Sequence, residues 1–248
     1  MMKMNMHGRG SAWPRWGVWH ITGPVLLLAL LGALGLLAAR SRLSMRQRNL
    51  LLIALIAMLL LLASDIQALS MSSYRSHMME HLIVILLISP IVAAALDLKM
   101  SRSAATVGFL AFTVLVPLYH LTPLGSWVMQ QSGGHFVELV SFLIVGVWFW
   151  TPVYGGRRVM GDRQRIMYTT LALPVIATTG LVLWSSTSAS LGNTGMHMAM
   201  ITIADIHNGG LLMMLWGSTM MAGHVAGMAI GATVRGYAAR EPVGLRYL

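Results

Sequence analysis

The chain has 248 residues, of which 56% are hydrophobic and 10% charged, and its mean hydropathy is +0.71. A water-soluble domain carries about 25% charged residues, so this composition excludes a soluble enzyme or a secreted module. A formal charge of +10 would point to nucleic acid in a soluble protein; here it has a plainer source, since cytoplasmic loops of membrane proteins collect Lys and Arg. The 21 Met and 9 His stand against no Cys. Disulfides, thiolate metal sites and covalent haem through C-x-x-C-H are therefore out of reach, and thioether and imidazole remain for soft-metal chemistry.

Seven apolar segments approach the roughly 20 residues that a bilayer requires. In chain order they are His20–Ala39, Asn49–Leu69, Met78–Leu96, Ala104–Leu121, His135–Val153, Ile166–Ser186 and Ile203–Thr233. The expected fold is an all-α, polytopic transmembrane bundle over 20–233. A Met- and His-containing outer tail precedes it (1–19), and a basic cytoplasmic tail follows (234–248). No secretory cleavage site follows the first segment, which is expected to be retained. Pro90, Pro117 and Pro174 fall inside spans, where neighbours can satisfy the freed carbonyls. Of the 17 basic residues, 13 fall on one side, in the stretches Arg40–Arg48, Lys99–Arg102, Arg157–Arg165 and Arg235–Arg246. The positive-inside bias then puts the N-terminus outside and the C-terminus in the cytoplasm.

Against this topology the histidines gather on one side. His20, His77, His81, His120, His135 and His207 lie at outer ends of spans, His197 in an outer loop and His7 in the outer tail. Only His224 lies deep, 17 residues beyond His207, or about 25 Å along a helix. Asp65, Glu80, Glu138 and Asp205 share the outer bias. Imidazoles beside carboxylates at a membrane boundary, where ionisable groups are costly, describe a cation site.

The sharpest local element is Ser76-His77-Met78-Met79-Glu80-His81. Two imidazoles four residues apart share a helical face and can share a metal. The likeness to H-E-x-x-H is superficial, because Glu80 precedes the second His and does not follow the first, which disfavours a zinc peptidase. A second element is Gly195-Met196-His197-Met198, followed by Asp205-Ile206-His207-Asn208-Gly209-Gly210. Thioether favours the cuprous ion, so Met196, His197 and Met198 are candidates for copper in transit. Met58, Met167 and Met228 read as packing, and Gly209-Gly210 as a close helix contact. His120 and His135 could serve as ligands or as interfacial hydrogen-bonding residues. Trp148, Trp150 and Tyr154 read as an inner aromatic belt.

Together these residues resemble the caa3-type cytochrome c oxidase assembly factors (CtaG) over about Ser72 to Thr233. The carrying features are His77-Met78-x-x-His81, His120-x-x-Pro123, His135-x-x-Glu138, Phe149-Trp150-x-Pro152 and Asp205-x-x-x-Gly209-Gly210-x-x-Met213. Leu139 and Ile206 stand where the family pattern often has His and Gln. The resemblance implies a multi-pass protein of the bacterial cell membrane that helps assemble haem–copper oxidases by delivering copper to the catalytic subunit. Outer-face copper chaperones are a further expected partner, and no nucleic acid is.

The expected function is thus a non-enzymatic copper chaperone, with Cu(I) as the expected ion. His77 and His81 are the expected ligands, joined by His207, His135 or His120, with Asp205 binding or orienting an imidazole. Glu80 and Glu138 stand as supporting carboxylates, and His197, Met196 and Met198 as an intake relay that Met4, Met6 and His7 could feed. Two rival readings are a b-type cytochrome with His axial ligands to haem and a copper or proton transporter with His224 as a relay. Crowding of the histidines at one face opposes the first. The lack of a cytoplasmic ligand cluster opposes the second.

Overall fold

A computed structural model describes residues 43–64, 69–70, 73–131, 133–155, 159–187 and 202–238. Among the described residues there is no strand, and the expected all-helical bundle is what the chain forms. The helices are α1 (Met45–Ala63), α2 (Tyr74–Leu96), α3 (Arg102–Leu121), α4 (Pro123–Gln130), α5 (Gly134–Tyr154), α6 (Asp162–Ser185) and α7. Helix α7 runs through Ile203–Leu212, Met213–Gly217 and Ser218–Ala238. All but the short α4 are long and apolar enough to cross a membrane. The expected span His20–Ala39, and the tail residues Met4, Met6 and His7, lie outside the described residues.

Local chemistry sets the helix starts. Ser44 caps α1 by accepting from the Gln47 amide, Ser101 caps α3 through Ala104, Thr122 caps α4 through Leu124 and Thr202 caps α7 through Asp205, each satisfying an orphan N–H of a first turn. The turn into α5 uses Gly133 at φ 89°, a conformation that suits glycine. Gly134 then packs directly on the Val128 carbonyl, where a Cβ would not fit. These two glycines bring the start of α5, with His135, back against the bundle.

Helix α2 is the central element: 67% of its apolar window is buried, more than in any other span among the described residues. It packs against α1, α5 and α7, while α3 packs on α5 and α6, and α6 on α7. Large apolar side chains such as Leu110, Val114, Ile144, Leu171 and Ile230 point outward, as lipid-facing residues of a span do. Helices α6 and α7 meet backbone to backbone at Gly180 and Gly210. A Cβ on Gly180 would come within 2.6 Å of the Met214 nitrogen, and one on Gly210 within 2.5 Å of the Trp184 nitrogen. The close contact expected at Gly209-Gly210 is therefore present, with Gly209 lying against the Tyr74 ring.

Pro90 shapes the middle of α2, which widens into a π-helical turn at Val84–Ile88. The Ser89 amide bonds the Val84 carbonyl, and Pro90 has no N–H to give. Ile85 and Leu86 thereby lose their usual donors. Trp150 Nε1 takes up the Ile85 carbonyl at 2.7 Å and His224 Nε2 takes up that of Leu86 at 2.8 Å. Trp150 is fully buried, which corrects the expectation of a belt residue: a core carbonyl freed by proline needs a core donor. Trp148 bonds the Ala104 carbonyl, and Tyr154 the ring of His224.

A candidate metal centre of imidazoles and carboxylates

Three helix ends meet at one end of the bundle. The first turns of α2 bring His77, Glu80 and His81; the first turn of α5 brings His135 and Glu138; the last turn of α3 brings His120. Spacings of three and four residues keep each helix's donors on one face. All are buried except His135, whose side chain is 13% exposed and forms the open edge of the cluster. Glu138 Oε2 lies 3.4 Å from His77 Nε2 and 3.6 Å from His81 Nε2, and Glu80 Oε2 lies 3.1 Å from His135 Nε2. The His77 and His81 rings approach to 4.2 Å between centroids, and His77 and His135 to 5.6 Å.

Proton positions follow from one backbone carbonyl. His120 Nδ1 sits 2.6 Å from the Val116 oxygen, which only accepts, so Nδ1 carries the proton and Nε2 of the neutral ring offers a lone pair. His81 Nδ1, 3.3 Å from that lone pair, must then donate. In the neutral ring His81 Nε2 is left as a bare lone pair, buried and without a hydrogen bond, facing a carboxylate oxygen. Glu138 Oε2, both oxygens of Glu80 and both nitrogens of His135 likewise have no aligned hydrogen bond. An imidazole lone pair pointed at a carboxylate oxygen in a low-dielectric interior, as at His81 Nε2, is costly unless a cation, either a proton or a metal ion, joins them.

The donor set fits a metal ion. One ligand atom each from His77, His135 and Glu138 lie within 4.8 Å of one another. A tetrahedral ion with bonds of about 2.0–2.1 Å needs ligand atoms roughly 3.4 Å apart, a difference that side-chain rotation covers. Imidazole with carboxylate suits copper or zinc. His120, held by Val116 and holding His81, has the place of an orienting partner.

The other expected ligands are engaged elsewhere. Asp205 accepts from the amides of Tyr74 and Arg75 and from the Ser73 hydroxyl, and so caps α2 from α7. His207 Nε2 donates to the Ser186 carbonyl at 2.7 Å. His197, Met196 and Met198 lie outside the described residues. Two further participants carry little signal in sequence. The ring of Tyr74 lies 6.3 Å from that of His77, and its buried hydroxyl has no hydrogen-bond partner among the described residues. Phe142, 4.5 Å from the His81 ring, closes the cluster with an apolar face.

No curated protein and no solved structure matches the chain. A family model does: that of the cytochrome c oxidase caa3 assembly factor (Caa3_CtaG), over residues 2–233. With almost its whole length matched, the chain belongs to the cytochrome c oxidase caa3 assembly factor family.

Proposed function

We propose that this protein binds copper at the His77–His81–His135–Glu138 cluster and hands it to the catalytic subunit of a haem–copper oxidase, without itself being an enzyme. The site is read as lying at the outer face of a bacterial cytoplasmic membrane, a placement that the 13 basic residues assigned to the opposite side support. The observation that supports this reading is the convergence of two buried imidazoles, His77 and His81, on Glu138 Oε2, with ligand atoms of His77, His135 and Glu138 within 4.8 Å of one another. Membership of an oxidase assembly family supports an oxidase as the client, and the imidazole–carboxylate donor set supports copper as the cargo.

Rings packed 4.2–5.6 Å apart leave no slab for a porphyrin between them, which favours an ion over haem. His224, the expected relay of a transporter, is held by Leu86 and Tyr154, which favours a one-sided site over a through-path. The test is metal analysis of detergent-purified protein. The wild type should retain near-stoichiometric copper, and the His77→Ala/His81→Ala double variant should lose it. Equal retention by both would end the proposal.

A further inference from the structure

Below the cluster, deeper in the bundle, lies a small cavity of about 10 Å³ lined by His81, His120, Met78 and Met213 with Leu82, Ile85, Val116 and Ile176. That is about the room of one water or one ion. It joins α2, α3, α6 and α7, and Met213 reaches it from the first residue of the π-helical turn in α7. π-helical turns are frequent at functional sites because they redirect side chains. Met78 and Met213 are both buried, and the rest of the lining is aliphatic. The lining surface is almost wholly apolar, and the residues in it that carry donor atoms are two imidazoles and two thioethers.

We propose that this cavity is a second ion position, specific for a soft monovalent cation such as Cu(I), and that His81 is shared between it and the outer cluster. The idea rests on the outer site being a metal site, and it adds a direction of travel. As the rings now stand, His81 Nδ1–H donates to His120 Nε2 and leaves Nε2 free toward Glu138. Moving that one proton from Nδ1 to Nε2 turns an N–H of His81 toward the Glu138 carboxylate, whose Oε2 lies 3.6 Å away, a favourable charge–dipole contact. It also leaves lone pairs on His81 Nδ1 and His120 Nε2 facing each other at 3.3 Å. That separation is close to the roughly 3.4 Å edge of a tetrahedral ion with imidazole ligands. No electron or atom is gained or lost; the ion exchanges one nitrogen of His81 for the other.

The two positions differ in kind. The outer one offers imidazole and carboxylate, acceptable to a divalent ion; the inner one offers imidazole and thioether in a dry apolar shell, which selects the cuprous ion. Because His81 serves both, occupation is exclusive, and an ion can pass inward without leaving all its ligands at once.

The experiment uses the full-length chain in detergent, loaded separately with Co(II) and with Cu(I). X-ray absorption of the Cu(I) form should contain sulfur scatterers, and these should vanish in Met78→Leu/Met213→Leu, which keeps side-chain volume. The same variant should retain the wild-type Co(II) visible spectrum. Conversely, His77→Ala/Glu138→Gln should lose Co(II) and no longer retain copper through purification, while Cu(I) added in excess to that variant should still show sulfur scatterers. Wild-type Cu(I) coordinated by nitrogen and oxygen alone, or sulfur scattering that persists in the double Leu variant, overturns the inner position and leaves the outer site standing. A wild type that binds neither ion overturns both.

Discussion

Replacing His224 with Phe isolates what Pro90 does to α2. Phe keeps the ring that packs 4.5 Å from Trp150 but removes the Nε2–H that serves the Leu86 carbonyl at 2.8 Å. A buried carbonyl left without a partner costs about 1–3 kcal/mol, and inside a bilayer no water is available to soften the loss. The His224 ring also accepts from the Tyr154 hydroxyl, so both chains are built in a Tyr154→Phe background to cancel that contact. With Pro90→Ala added, the amide gained at position 90 stands four residues after Leu86 and supplies the missing donor. The His224→Phe penalty should then shrink, with a coupling of about 0.5–3 kcal/mol between positions 90 and 224. Unfolding by SDS titration in mixed micelles, followed by circular dichroism, measures each corner of the cycle. A penalty unchanged by Pro90→Ala would refute the assignment of His224 to the carbonyl that proline frees.

Three further outcomes follow from named contacts. Asp205→Ala removes the cap that α7 provides for α2 at Tyr74 and Arg75; it should cost about 0.5–2 kcal/mol and weaken metal binding indirectly, visible as a lower unfolding midpoint that added metal partly restores. Gly180→Val drives a side chain into the α7 backbone, where even a Cβ lies 2.6 Å from the Met214 nitrogen; it should lower the monodisperse yield on size exclusion, whereas Gly223→Val, which meets nothing within 4 Å, should not. Metal retention should fall as pH drops, because only neutral imidazole ligates; equilibrium dialysis from neutral to acidic pH should give tighter binding on the alkaline side, and a flat profile would argue against imidazole ligation.

Much of the site was legible because helical spacing is local. His77 with His81, and His135 with Glu138, stand three or four residues apart, so each pair needed only a helix to share a face. Their common end of the bundle followed from span counting. What the chain could not display in one dimension was which helices are neighbours. The place of Glu138 between His77 and His81 depends on α5 packing against α2, and the engagement of Asp205 as a cap depends on α7 lying beside the start of α2. The misreading of Trp150 has the same origin. An aromatic near a span end fits a belt, and only the register of α5 against the π-helical turn reveals the Ile85 carbonyl that it serves. His120 was recognisable as polar at an apolar boundary, but its tautomer, and through it that of His81, is set by a carbonyl one turn away that no side-chain pattern marks.

The most direct measurement is the copper content of the purified Glu138→Gln variant beside the wild type. Gln has nearly the shape of Glu but lacks the charge that faces His77 and His81, so the fold should persist. Copper retention should drop from near one per chain to a small fraction, and the unfolding midpoint should stop rising on copper addition, since a ligand stabilises only the state that binds it. Wild-type copper content and copper-dependent stabilisation in Glu138→Gln would contradict a metal centre built on that carboxylate.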